Sequence, residues 1–581
     1  LVSKERSSDM LKRSTNFTSK IRGIVSFKEN TAMVIPISKG DERSYFIKGK
    51  NLTGIRAGDL VDCLITRKRL RHVKIIKVLR KNILKKPLNH ISLYEKGIPN
   101  IFSDKSMREC EKIELPSAFN DHKDFTHLPF ITVDPQDAKD HDDAIYAIKG
   151  INGVDNFCFK VYVAIADVSF FVKENSEIDF EARDRGNSTY LPNLCIPMLP
   201  EKLSFNFCSL LEGEIRPCLV VEIAIDEVGK KIFHTFHRAI IKNIKALTYE
   251  DVEIFRHEKI VKTLPYSQSL TDLWDLYDLL LKEKKDRSPL QLDFPERVIS
   301  ADVDDNVLDI TNVKKNNSNQ LVEELMILAN ISAAETIKKC GMGNLFRIHP
   351  TPSNEKIETF RNIKGAESSV TKNRNKITSV NLNEFINSAK GVDEREIYKQ
   401  EIIKLLEQAR YSTKNDGHFG LNLKSYTHFT SPIRRYADII IHRLIINFAI
   451  NQHSMTNSKK SINLGEICDH ISFTERRSSE AERDTTRRYL AKYIRNRIGQ
   501  NFEGKIIGFI RKVIFIKIDY LDAEGVIILK RGQNNFIYFD KDRQRFLHKH
   551  SSEEFNIGSR IPVTLIKANE LNGSLTFRYN H

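Results

Sequence analysis

Short apolar runs that alternate with polar positions fill residues 17–80. "IRGIVSF", "TAMVIPI" and "SYFIKG" are β-rich and are separated by polar turns such as "SKGDERS". After Gly58–Asp59, the side chains of Val61, Cys63 and Ile65 fall on one face, the two-residue period of a half-buried strand. Residues 502–580 repeat this design, with Ile561, Val563 and Leu565 following Gly558 at the same spacing. Between the two ends the period changes. "CFKVYVAIADVSFFV" and "CLVVEIAID" read as strands, whereas "NQLVEELMILANISAAETIKKC" carries apolar residues at 321, 325, 328 and 329, a helical stripe. "IRRYADIIIHRLIINFAI" and "SSEAERDTTRRYLAKYIRNRI" also predict helices.

The predicted architecture is an α+β middle domain over 128–495, flanked by all-β barrels of the OB type at 17–80 and 500–581. Residues 1–16 are expected to be disordered or truncated, and 81–127 to form a basic, poorly patterned connector. Small closed barrels are common platforms for single-stranded nucleic acid, although a barrel that binds nothing gives the same pattern.

Charge sharpens this picture. Lys and Arg number 92 against 76 Asp and Glu, a net +16, which points to a polyanionic partner. The run "RKRLRHVKIIKVLRKNILKK" (67–86) holds ten basic residues and no acidic one, so phosphate contact is expected there in preference to a merely solvated face. No apolar stretch reaches the roughly 18 residues of a membrane span. Eight cysteines without a C-x-x-C pair suit a reducing compartment, so a cytoplasmic location is expected, and with no clear sign of oligomers in the sequence a monomer is expected.

Against that positive background, "DPQDAKDHDD" (134–143) packs five aspartates into ten positions. Either water solvates them on a loop or a cation sits among them. Asp134 follows the short strand "FITV", and a loop curling back would bring Asp140, Asp142 and Asp143 towards it. Hard oxygen ligands suit Mg²⁺, Mn²⁺ or Ca²⁺. A calcium loop of the EF-hand kind needs a glycine and a glutamate at set positions, and Lys139 and Ile145 stand there instead. A Mg²⁺ site shared with substrate phosphate is the working arrangement of a nuclease.

A second constellation is "GHFGLNLKSYTHFTSPIRRYADIIIHR" (417–443). Ser431 suits an N-cap and Pro432 the first helical position, so a helix is expected to begin here, with Arg434 and Arg435 in its first turn. Cations are disfavoured at that end of the dipole unless an anion joins them. A phosphate would serve, as would the acidic cluster; an internal pair of Arg434 with Asp438 is the plainer alternative. His428 and His442 are read as core residues.

Together these motifs resemble the catalytic domain of the ribonuclease II / ribonuclease R exoribonucleases. The likeness runs on through "STYLPNLCIPMLPEKLSFNFCSL", "QLVEELMILANISAAE" and "RIHPTPSNEKIE", with a cold-shock-like barrel in front and an S1-like barrel behind. It implies processive 3′→5′ hydrolysis of single-stranded RNA to nucleoside 5′-monophosphates, with one or two Mg²⁺ as cofactor and Mn²⁺ as a substitute. By the resemblance, Asp134, Asp140, Asp142 and Asp143 are metal ligands, with Asp143 also catalytic, while Asp137 stays on the surface. Arg434 matches the arginine on the scissile phosphate, and Arg435 beside it is counted among the RNA contacts. Tyr190 resembles the aromatic that stacks on a terminal base, with Phe294 as the opposite wall. Glu323 or Glu324, and Glu482, are candidates for ribose hydroxyls. In the last barrel, Phe509, Lys512 and Phe515 are candidate RNA contacts, with Lys512–Val513 standing where the family often has Phe-Gly. The length leaves no room for the extra N-terminal modules of many ribonuclease R proteins, and no lysine-rich tail is present, which lowers the expectation for structured RNA. The competing readings are a catalytically inactive RNA-binding scaffold and a DNA-directed 3′ exonuclease.

Overall fold

The computed structural model describes residues 20–580 apart from 29–30, 38–42, 48–51, 53, 68–69, 81–86, 152–153, 259–263, 303–305, 341–344, 362–376, 452–462, 511–512, 530–536, 541–544 and 549–553. The expectation for residues 1–16 lies outside the described residues. Alternating apolar positions in the first segment form β1 (Lys20–Lys28), β2 (Thr31–Pro36), β3 (Tyr45–Ile47), β4 (Leu60–Arg67) and β5 (His72–Arg80). They close into a barrel in the order β1-β2-β3-β5-β4 around Val25, Val34, Tyr45, Val61, Cys63 and Val73. Most of the described part of the basic run is therefore itself a barrel strand, β5. Val73 points into the core while Lys74 and Lys77 face solvent.

The connector departs from expectation, because it holds two helices, Pro87–Lys96 and Asp104–Glu111. The first packs against the long helix Leu464–Ile494 around Arg488, whose guanidinium donates to Ser92, to Glu95 at 2.5 Å and to the Leu571 carbonyl at 2.8 Å. One buried arginine thus joins the connector, the long helix and the C-terminal barrel. The local pattern of "PLNHISLYEK" did not reveal this helix because its stability comes from that tertiary docking.

The middle domain is built on β6 (Lys123–Asp124), β7 (Phe130–Asp134), β8 (Asp143–Lys149) and β9 (Phe159–Ala166). A small hairpin follows, β10 (Thr189–Leu191) with β11 (Leu194–Ile196), and then β12 (Ile215–Ile225) and the long β13 (Lys231–Thr248). The sheet order is β12-β9-β8-β7-β13-β6, and β13 also pairs with β12, so five strands return on themselves. Helix Asn317–Cys340 buries Leu321, Leu325 and Ala329 against this sheet, as its apolar stripe predicts. The C-terminal barrel runs Asn501–Ile510, Val513–Ile518, Ala523–Ile528, Ser574–Tyr579, Arg560–Asn569, with Ile561, Val563 and Leu565 inside. The α+β domain between two closed five-strand barrels agrees with the sequence reading.

Candidate active site

Strand β7 ends at Asp134 and β8 begins at Asp143, and the two strands are antiparallel neighbours through Ile131 and Ile145. Their connecting loop must turn back at one end of the sheet, which gathers the aspartates there. The loop is pinned from outside: the His141 N–H donates to Ser209 Oγ at 3.0 Å, and the Leu210 N–H donates to the His141 carbonyl at 3.0 Å. Asp134, Asp140, Asp142 and Asp143 all line one cavity of about 1410 Å³. Asp137 lines its rim and is exposed, as expected of a surface residue.

Each carboxylate has a different surrounding. Asp134 Oδ2 lies 2.6 Å from His141 Nδ1, and Asp140 Oδ2 accepts the Tyr190 hydroxyl at 2.5 Å. Asp142 is 4% exposed; its Oδ1 accepts the Ile433 N–H at 2.8 Å, and its Oδ2 is 3.3 Å from Arg434 Nε but has no hydrogen-bond partner. Burial pushes the Asp142 carboxyl well above the usual range, against the pull of Arg434 and the Ile433 amide. Burial likewise raises the Asp143 carboxyl to about 7, with Asp134 adding to the shift and Arg434 opposing it. The acidic oxygens thus lie in a site where their own charge is poorly compensated. The four side chains do not form a closed metal cage by themselves, and among the described residues none is found. The donor set, hard carboxylate oxygens with one buried oxygen lacking a partner, fits a divalent ion that keeps part of its shell for water or phosphate.

The arginine segment differs from its sequence reading. Ser431–Arg434 forms a single turn, with the Arg435 N–H donating to the Ser431 carbonyl at 3.0 Å. Arg435 is then extended, at φ −137° and ψ 122°, and the helix begins only at Tyr436. The cause is a bridge to a second segment: Asn187 pairs with Arg435, the Ser188 N–H donates to the Arg434 carbonyl at 3.0 Å, and the Tyr436 N–H donates to the Gly186 carbonyl at 3.0 Å. Arg434 is half-exposed in the cavity and donates to Ser431 Oγ at 2.9 Å. The internal ion pair forms with its neighbour instead. Arg435 Nε and Nη2 grip fully buried Asp438 at 3.0 and 2.7 Å, and Arg435 lines the cavity beside Arg434.

Tyr190 on β10 and Glu482 on the long helix both line the cavity, and the Tyr190 N–H donates to Glu482 at 3.3 Å. Burial holds the Glu482 carboxyl above its usual value. Glu323 also lines the cavity, paired with Lys315 at 2.9 Å. Glu324 does not. It is buried between Lys284 at 2.8 Å and Arg287 at 3.0 Å, which removes it from the ribose candidates. Phe294 is not among the cavity-lining residues, although Glu296–Ile299 just beyond it are, and Lys399 Nζ lies over its ring at 5.5 Å from the centre. Phe509 and Phe515 are half-buried on the C-terminal barrel, away from the cavity lining, and Lys512 lies outside the described residues.

Sequence reasoning missed Tyr249. It follows Thr248, which pairs with Asp134, and burial together with Asp143 and Asp134 holds its hydroxyl above the ordinary value. Only the strand-to-helix junction "ALTYE" could have marked it. The cavity continues past Arg297, Arg483 and Arg487 to Gly573 and Leu575 of the C-terminal barrel. His442 is buried and His428 half-buried, both packed as read: His428 Nδ1 meets the Tyr411 hydroxyl at 2.8 Å, and His442 Nε2 meets the Phe429 carbonyl at 2.8 Å.

An acidic loop facing an arginine, on a sheet domain between two barrels, is the layout of a metal-dependent exoribonuclease, a hydrolase. Residues 122–451 match the RNB domain, and the chain belongs to that family. Ribonuclease R of Escherichia coli (strain K12) is 31% identical over 573 residues, covering 95% of this chain and 70% of that protein. Ribonuclease R of Aquifex aeolicus is 28% identical over 95% of this chain and 79% of its own length. Among solved structures, the apo form of Mycoplasma genitalium RNase R superposes with a TM-score of 0.85 at 26% identity, covering 97% of this chain and 89% of that one.

Proposed function

We propose that this chain removes nucleoside 5′-monophosphates one after another from the 3′ end of single-stranded RNA. The observation that carries the reading is the convergence of Asp134, Asp140, Asp142, Asp143 and Arg434 in one cavity that extends to the C-terminal barrel. The basic surplus and the two barrels gather the strand, whose end enters that cavity. Tyr190 offers a ring for the terminal bases, and Glu323 and Glu482 are acceptors for ribose hydroxyls. Arg434, half-exposed and already within reach of Asp142, stabilises charge developing on the phosphoryl oxygens.

The four aspartates would hold the ion, and we read it as Mg²⁺. Such an ion supplies a Lewis acid for the phosphoryl oxygen and lowers the pKa of a water. The solved RNase R complexes named for single-stranded and for double-stranded RNA share this fold. A cytoplasmic setting is supported by the eight free cysteines. No described helix is long and apolar enough to cross a membrane.

The test is Asp143→Asn. It should bind a 3′-overhang RNA within a few-fold of the parent and release mononucleotide at least ~10³-fold more slowly. Near-parental release would refute the assignment. A parent that degrades an all-deoxyribose strand as fast as RNA would favour the DNA-directed reading instead.

A further inference from the structure

Within residues 140–143, His141 is the one side chain that is not acidic. It sits between two proposed metal ligands, yet its ring turns back to a third: Nδ1 is 2.6 Å from Asp134 Oδ2, and the side chain is only 13% exposed. Its backbone has little freedom. The His141 N–H and carbonyl are both bonded to the Ser209–Leu210 segment, and Ser209 Oγ also donates to the Lys139 carbonyl at 2.9 Å. Asp134 is anchored from the other side as the last residue of β7, paired with Thr248 of β13. With both backbones fixed, the hydrogen bond arrests the remaining rotation of the Asp134 carboxylate. An ionised carboxylate only accepts, so Nδ1 carries the hydrogen. Oδ2 is then engaged, and Oδ1 is the oxygen that this cavity-lining residue has left for a cation.

We infer that His141 is a positioning residue that orients Asp134 for the divalent ion. The inference rests on the metal-site reading above. Hydrogen bonds to ligating carboxylates from outside the coordination shell are worth about 10–100-fold in metal affinity. The opposite role is also chemically defined: a histidine that merely competes for Asp134 would weaken ion binding, and its removal would tighten it.

The test measures Mn²⁺ binding to the RNA-free protein at pH 8, from the electron paramagnetic resonance signal of free Mn²⁺. His141→Phe keeps the ring volume and removes the donor; it should weaken binding by about 10–100-fold. His141→Asn returns an N–H donor near the Nδ1 position and should recover most of that loss, which a purely space-filling role would not. Equal or tighter binding by His141→Phe overturns the inference, as does His141→Asn binding no better than His141→Phe. Asp134→Asn separates the two levels. If it binds Mn²⁺ like the parent, the metal-site reading itself falls; if it loses binding while His141→Phe does not, only the role of His141 falls.

Discussion

Asp142 and Asp143 show how a residue gains function from an unfavourable position. Both carboxyls are displaced upward by burial, and the nearest compensating charge, Arg434, is itself half-exposed. Removing water from an acid disfavours its charged form, so the ion-free site holds electrostatic cost that a cation relieves. This sets a pH dependence. The Asp143 carboxyl lies at about 7 in the folded chain, against about 3.9 when unfolded. The folded state therefore binds the extra proton inside that window, and the stability cost grows as pH rises through it and is complete above it. In EDTA, Asp143→Asn should melt about 2–4 °C above the parent at pH 8, by less at pH 6, and level with it near pH 4. A difference that does not change with pH would contradict this origin of the shift.

At the scale of elements, the site depends on two segments that the sheet does not supply. Gly186–Tyr190 and Ser431–Tyr436 pair with each other, so the stacking candidate and the arginine are set by one shared backbone contact. Gly186 has φ +73°, and a Cβ there would sit 2.1 Å from Thr474 Oγ1 on the long helix. Gly186→Ala should therefore cost about 1–3 kcal/mol of stability and reduce turnover by displacing both partners; parental melting and turnover would show that the contact does not position them. This coupling also explains what the sequence could reveal. Five aspartates in ten residues conflict locally, whatever the fold, and so advertise a site. Ser431–Pro432 sends an equally local helix signal, yet the helix starts at Tyr436 because residues 186–188, far away in sequence, pull Arg435 into a bridge. Glu323 and Glu324 differ only in rotation about one helix, about 100° per residue, and only packing determines that Glu324 meets Lys284 and Arg287. Phe294 and Arg435 depend on packing in the same way. Their types were suitable, but their partners, Lys399 and Asp438, are set by tertiary structure or by a turn that it imposes.

Across the whole molecule, alternating apolar positions in the two terminal segments were enough to foresee two barrels, because a closed barrel is specified strand by strand. The connector helix was not foreseeable in this way, since Arg488 ties it to elements almost four hundred residues further along the chain. The assembled form is a basic molecule whose cavity is lined both by residues of the C-terminal barrel and by the acidic loop. That combination suits a strand drawn in by its phosphates and hydrolysed where the aspartates lie. The most direct measurement is the product pattern from a 5′-labelled RNA with a 3′ overhang, with Mg²⁺ and with excess EDTA. The account predicts a ladder shortening from the 3′ end with release of nucleoside 5′-monophosphates, and almost no shortening in EDTA; equal shortening in EDTA, or internal fragments, would contradict it.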